Sequence, residues 1–307
     1  MHRYRESVLA LLLAASLQTA GAAEPIRVML LDGESGGPYH DWPAVSAALE
    51  QILDEPGLFD VTTVTAPSTE GTLESFAPDF DAYDVIVFNY DAPDERWPAS
   101  LKAAFESYVE HGGGFVSVHA ADNAFPGWRA YNEMIGIGGW RGRDEQSGPY
   151  WYFAGDELEA DESPGPAGSH GRREPFRVEV RDSSHPIMQG LPNAWMHGDD
   201  ELYAHLRGPG SRLTVLATAY SAAANAGSER DEPQLMVGSY GDGRIFHTTF
   251  GHDIRALSSV DFVVTLQRGT EWAATGRVTQ AVPADFPTAL APSYRSVIAG
   301  DTQSAIR

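Results

Sequence analysis

The 307-residue chain has no cysteine. That excludes disulfides, a catalytic thiol, a thiolate metal site and a lipoprotein anchor, so any metal must be held by imidazole, carboxylate or carbonyl groups. Basic residues are scarce too. Lys and Arg number 21 against 43 Asp and Glu, for a formal charge of -22. Such a surface repels nucleic acid and anionic membranes and suits a neutral small molecule such as a carbohydrate. No two histidines stand at the i, i+4 spacing of a helical metal motif. Beyond the N-terminal segment no apolar run is long enough to span a bilayer.

What is present begins with "MHRYRESVLALLLAASLQTAGAAEP". A basic start, an apolar run from Val8 to Leu17 and small residues at Ala20, Gly21 and Ala22 have the layout of a secretory signal peptide. The expectation is therefore export to the periplasm or the medium, with residues 1–22 removed. One domain over 23–278 and a tail over 279–307 follow.

Along that domain, apolar runs rich in β-branched residues alternate with amphipathic helical patterns. "IRVMLLD" (26–32), "YDVIVFNYD" (83–91) and "FVSVHA" (115–120) read as buried strands. "WPAVSAALEQIL" (42–53), "ASLKAAFESYVEHGGG" (99–114) and "GWRAYNEMIG" (127–136) read as the helices between them. This is the pattern of an α/β fold, a mostly parallel sheet with helices on both faces. "FRVEVRD" (176–182) and "RLTVLATAY" (212–220) add strands. "QLMVGSYGDGRIFHTTF" (234–250) reads as a C-terminal β-hairpin and 260–276 as a closing helix. Between 140 and 175 periodicity fails in a segment rich in Gly, Pro, charge and aromatics, which reads as an ordered loop near the site.

Ligands of open parallel sheets bind beyond the carboxyl ends of the strands. Asp32, Asn89, His119 and His252 all fall at such ends, where independent core residues would not be expected to gather. His40 lies in the glycine-rich loop after the first strand, and helix capping needs no imidazole. Gly251 turns the chain beside His252 and Asp253, and Asp253 is the nearest carboxylate to fix that imidazole's tautomer. "MHGDDELYAHL" (196–206), read as a loop or short helix, offers Glu201 and Tyr203. His111, His185, His205 and His247 read as structural, and His170 sits in the irregular loop within possible reach of the pocket.

"LLDGESGGPYHDW", "GGGFVSVHAADNAFPGW", "HPIMQGLP", "DELY" and "YGDGRIFHTTFGHD", in this order, resemble the ThuA-like family, named for trehalose utilisation. "GWRGRDE", "GPAGSHG" and "RGTEWAATG" resemble an exported branch of it. The resemblance covers residues 26–278 and implies a flavodoxin-like, class I glutamine-amidotransferase-like fold. In amidotransferases the corner after the equivalent strand carries a cysteine nucleophile. Here that corner bears His119 followed by Ala120, so thioester chemistry on glutamine is excluded.

Three readings stay open. In the first, His119 and His252 act as general acid and base on a keto-sugar or disaccharide, with Glu201 and Asp122 orienting them or sharing protons. Trp42, Trp128 and Tyr203 would then support the sugar ring, and His40, Asn89, Asp32 and Asp253 would line the binding site. In the second, a divalent metal is added, held by His40, His119 and His252. In the third the protein binds sugar without turning it over. A serine hydrolase fits less well, because Ser117 precedes the corner instead of occupying it.

Overall fold

A computed structural model describes residues 24–297 apart from 36, 69 and 211. The signal-peptide expectation for 1–22 lies outside the described residues. The strands in chain order are β1 (Ile26–Asp32), β2 (Phe59–Thr65), β3 (Val85–Phe88), β4 (Gly114–Val118), β5 (Tyr150–Ala154), β6 (Glu157–Asp161) and β7 (Ser169–His170). There follow β8 (Glu174–Val180), β9 (Ala194–Asp200), β10 (Tyr203–Ala204), β11 (Thr214–Tyr220), β12 (Asp231–Tyr240) and β13 (Gly243–Thr248). The α-helices are α1 (Trp42–Asp54), α2 (Ala99–Glu110), α3 (Arg129–Ile135), α4 (Ile254–Leu257) and α5 (Val260–Thr275).

The main sheet runs β2-β1-β3-β4-β13-β12-β11-β8-β9. Its first five strands are parallel, as the flavodoxin-like expectation requires. An antiparallel extension from β12 to β9 lengthens the sheet, which is therefore mixed. The expected hairpin joins β12 to β13 through Gly241 and Asp242. Gly241 has φ +57, and a β-carbon there would lie 2.3 Å from the Glu110 carbonyl oxygen, so only glycine fits that turn.

The parallel strands are legible as apolar runs because both their faces are buried. On one face α1 contributes Val45, Leu49 and Ile52 and α5 contributes Phe262, Val263 and Leu266, all against Val28, Leu30, Val87 and Val116. On the other face α2 and α3 bring Leu101, Phe105, Tyr131 and Met134 against Met29, Ile86, Phe88 and Phe115. Asp41 caps α1 by accepting from the Ala44 amide, and Pro43 stands in its first turn.

Two sequence readings need correction. The segment read as loop or short helix around 196–206 includes most of β9, which continues the sheet through Asp200. The irregular 140–175 segment contains the β5–β6 hairpin, joined to β12 at Phe153 and Asp231. Most of its residues are at least partly exposed, so no apolar alternation marks it. Two buried arginines hold this region in place. Arg143 donates to the carbonyls of Asn123, Ala124 and Gly139. Arg207 donates to those of Gly148, Ser163 and Gly165 and stacks on Tyr150. Among the described residues no helix is long and apolar enough to cross a membrane.

Candidate active site

The chain leaves β1, goes outward to β2, and returns across β1 to β3. Strand order therefore switches between β1 and β3, where doubly wound sheets open a crevice at their carboxyl ends. The loops after β1, β3, β4 and β13 meet there, with the segment after β9 and the loop around Trp140 closing over them. Together they line a cavity of about 610 Å³, within the range of small-molecule sites.

His119 is the first residue of a 3-10 turn immediately after β4. Its φ is +47, the left-handed region that costs a non-glycine residue roughly 1–3 kcal/mol. The strain turns the imidazole inward from the strand axis. Its Nδ1 lies 2.7 Å from the Thr249 carbonyl. A carbonyl only accepts, so Nδ1 carries the proton and Nε2 is the acceptor for the Tyr203 hydroxyl at 2.8 Å. Burial, reinforced by His40 and His252, holds this imidazole well below its ordinary pKa.

His40 stands 5.2 Å from His119 and 4.9 Å from His252, centroid to centroid. Both its ring nitrogens are buried and neither has a hydrogen-bond partner. Burial, then the neighbouring His252, pushes its pKa down to about 4. His252 behaves oppositely. Burial pulls it down, but Glu201, with Oε2 3.1 Å from Nδ1, outweighs this and raises it. Glu201 is in turn held below its usual range, since its histidine neighbours overcome the effect of burial. The same oxygen lies 3.5 Å from His170 Nε2 and 3.9 Å from His119 Nε2. One carboxylate therefore sits among three imidazoles.

A buried network sets that carboxylate. Asp200 accepts from the amides of Glu201, Gly251 and His252, tying the end of β9 to the loop after β13. Its charge is balanced by His197, whose ring nitrogens lie 3.1 Å from Asp200 and 2.8 Å from Asp261.

His119, His252, Glu201, Tyr203 and His40 thus converge, as expected. The other expected residues do not line the cavity. Asp122 lies behind the corner, fully buried and 3.3 Å from His247 Nε2, and braces that histidine. His247 also reaches the Ile135 carbonyl, in keeping with its structural reading. Asn89 ties β3 to α1 by donating to the Trp42 carbonyl and Ser46 hydroxyl. Trp42 starts α1 outside the cavity, and Trp128 packs among Phe125, Tyr131 and Trp97 in the core. Asp32 is buried at the end of β1. Asp253 caps α4 and pairs with Arg173, so the carboxylate beside His252 is Glu201. Ser35, in the G-x-S-x-G spacing of Gly33 to Gly37, does not line the cavity either.

Sequence reasoning missed Tyr39, Asp91, Asn123, Trp140, Arg141 and Arg173 in the lining. Two signals were available. Asp91 follows the flagged Asn89 at the same strand end, and Arg141 stands between glycines in a loop expected near the site.

Could the imidazoles hold a metal? One ligand atom from each of His40, His119 and His252 lies within 4.8 Å of the others. Zinc–nitrogen bonds of about 2.0–2.1 Å put tetrahedral neighbours about 3.4 Å apart, so the rings would close by up to about 1.4 Å. The donor set fits. His40 is neutral and unpartnered, and the Nδ1–H of His119 is pinned by a carbonyl, which leaves the lone pair on Nε2; a cation there would take that lone pair from the Tyr203 hydroxyl, which now donates to it.

The family model ThuA, described as trehalose utilisation, matches residues 27–273. The fold superposes on the crystal structure of a ThuA-like protein from Parabacteroides merdae with a TM-score of 0.85 and 44% identity, covering 89% of this chain and 99% of that one. A ThuA-like protein from Bacteroides uniformis shares the fold at a TM-score of 0.55 and 16% identity, covering 85% of this chain and 98% of the other. No curated protein sequence matches the chain.

Proposed function

Because this chain belongs to the ThuA family, we propose that it is an exported carbohydrate-active enzyme, with His40, His119 and His252 holding a divalent cation and Glu201 moving protons. The observation that carries the reading is His40, an imidazole with two buried, unpartnered nitrogens about 5 Å from two others. Burying polar atoms without partners costs free energy, and a ligand that satisfies them recovers it.

Each residue's part follows from its surroundings. His40 and His119 are neutral at physiological pH and donate lone pairs. Glu201 is ionised and accepts a proton from the carbon beside a sugar carbonyl, or from water. His252, neutral while one of its nitrogens would hold the cation, steadies Glu201 across their 3.1 Å contact, and Glu201 returns the proton to the opposing oxygen. The Thr249 carbonyl holds the orientation of His119, and the Tyr203 hydroxyl, which donates to Nε2 without a cation, would be released to a ligand when one binds. A bound cation supplies polarisation of the carbonyl or activation of water. Keto-sugars and disaccharides are the substrates this arrangement suits, since a carbonyl acidifies the neighbouring C–H bond.

The test uses untagged protein recovered from the exported fraction, whose N-terminal sequence reads out removal of residues 1–22. Zinc and manganese are titrated by calorimetry, and turnover is measured on disaccharides and their 3-keto forms. One equivalent of metal should bind. His40→Ala and His252→Ala should weaken it by at least the roughly 10–100-fold seen for loss of supporting partners, and should abolish turnover. Turnover that survives both substitutions, or sub-stoichiometric metal at saturation, refutes the proposal.

A further inference from the structure

The cavity has a second polar group of residues that the proton and metal chemistry does not use. Asp91, past the end of β3, is 4% exposed, and one carboxylate oxygen accepts from Arg141 Nε at 2.6 Å. Asn123 ends the 3-10 turn that begins at His119, is 7% exposed, and has its Oδ1 buried without a partner. Trp140 lines the same cavity, half-buried beside Tyr203 with ring centroids 4.5 Å apart. Trp140 and Arg141 have φ +50 and +48, consecutive left-handed residues, neither of them glycine. Such backbone persists only where surrounding contacts impose it. Here the Trp140 amide donates to Ala167 and its carbonyl accepts from Arg143. Were the loop only a cover, glycine would serve at both positions. The strain instead presents an indole and a guanidinium to the cavity.

We infer that these four residues form a recognition subsite for the ring of a neutral pyranoside, with Trp140 supporting its apolar face and Asp91, Arg141 and Asn123 reading its hydroxyls. The inference rests on the carbohydrate reading above and adds to it the part of the sugar that does not react. A carboxylate beside a guanidinium offers an acceptor and donors side by side, which matches two adjacent hydroxyls, each both donor and acceptor. Asn123 Oδ1 takes the proton of a third. An indole contributes area against a C–H face without demanding charge. Neutrality follows from the pairing. Arg141 is matched by Asp91 and Arg173 by Asp253, so no guanidinium in the lining is left to balance an anion. The formal charge of -22 adds a repulsive field.

Three probes test it by calorimetry on the intact protein: methyl α-glucopyranoside, the corresponding glucuronate, and the open-chain polyol glucitol. The glucoside should bind, with the glucuronate and glucitol each weaker by about tenfold or more. Asn123→Ala and Asp91→Asn should weaken the glucoside by a similar factor, Trp140→Ala further, and Trp140→Phe less than Trp140→Ala. Asn123→Ser, the gentler change, guards against misfolding and should also weaken binding. Glucoside affinity unchanged in Asn123→Ser and Trp140→Phe, preference for the glucuronate, or no binding of the glucoside overturns the inference. Zinc titration of the same variants separates the two proposals. Zinc kept with sugar lost is the expected result for the subsite variants. Wild-type protein that binds the glucoside but not zinc defeats the metal reading alone, and one that binds zinc but no glucoside defeats this one alone.

Discussion

Replacing His197 by Gln should change how stability depends on pH, by an amount the structure sets. The His197 side chain is fully buried between Asp200 and Asp261. Burial alone would push the imidazole down, but the two carboxylates overcome it and raise its pKa from 6.5 to about 9. A raised histidine adds stability that is complete below pH 6.5 and is lost as pH climbs through about 9. At about 1.4 kcal/mol per pH unit between the two values, the cation contributes about 3 kcal/mol at neutral pH. His197→Gln leaves two carboxylates buried without their cation, and losing one member of such a group costs roughly 3–5 kcal/mol. Urea unfolding from pH 6 to 10 on both proteins gives the difference curve. The gap should be widest near pH 6 and narrow steadily above pH 7, because only the wild type has this proton to lose. Parallel curves across the range would refute the assignment of a buried cation. A shift in wild-type stability centred near 6.5 would refute the carboxylates' part in it.

Two further substitutions probe the frame around the site. In Gly269→Ala the added β-carbon would lie 2.1 Å from Cδ1 of the buried Phe246 ring, so crowding of about 1–3 kcal/mol should outweigh the roughly 1 kcal/mol that alanine offers a helix. Thermal melts should therefore show a destabilised protein, and a stabilised one would mean that α5 can move off the sheet without cost. Glu232 is nearly fully buried, and burial raises its pKa to about 7 despite the opposing Ser228 hydroxyl. The sign is the same as for His197, because this pKa too is raised, but the window is lower: the native state loses stability as pH rises from 4.5 through about 7. Glu232→Gln should therefore gain up to about 3 kcal/mol at pH 8 and nothing at pH 4, and an equal effect at both would show that the charge is not what matters.

The strands that position the site were legible because burial on both faces turns them into continuous apolar runs. Val85 to Phe88 and Phe115 to Val118 are of this kind. Strands of irregular burial escaped, whereas β8, which alternates cleanly, was read. β2 alternates irregularly at the sheet edge, and β9 carries His197 and Asp200, polar groups buried for electrostatic reasons that no hydropathy pattern marks. The same logic divides the site. His40, His119 and His252 were found because each follows a strand or its loop and is an unusual residue for a corner. Trp42 and Trp128 were misplaced because aromatic character does not distinguish a sugar platform from core, and Trp128 is core. Trp140 escaped for the opposite reason. Its place in the cavity depends on left-handed backbone and on buried Arg143, both products of the tertiary fold.

The corner after β4 shows how one fold can change its chemistry while keeping its geometry. The left-handed residue that ends β4 has its buried side chain beside the crevice, between the Thr249 carbonyl and the Tyr203 hydroxyl, and the strain of roughly 1–3 kcal/mol is met by the rest of the structure. A thiol placed there would be a nucleophile, needing only a base beside it. An imidazole whose Nδ1–H is committed to the Thr249 carbonyl and whose Nε2 accepts from Tyr203 is poorly placed to attack. Its burial also keeps it neutral, so at physiological pH it does not serve as an acid. What remains is a lone pair held at a fixed point and direction, which is what a ligand needs. Glu201, which the proposal gives the proton-moving part, contacts His252, and the two have oppositely shifted pKa values. Under the proposed function, position and proton transfer are divided between His119 and Glu201, and the Asp200 carboxylate, bonded to the amides of Glu201 and His252 together, keeps that pair in register.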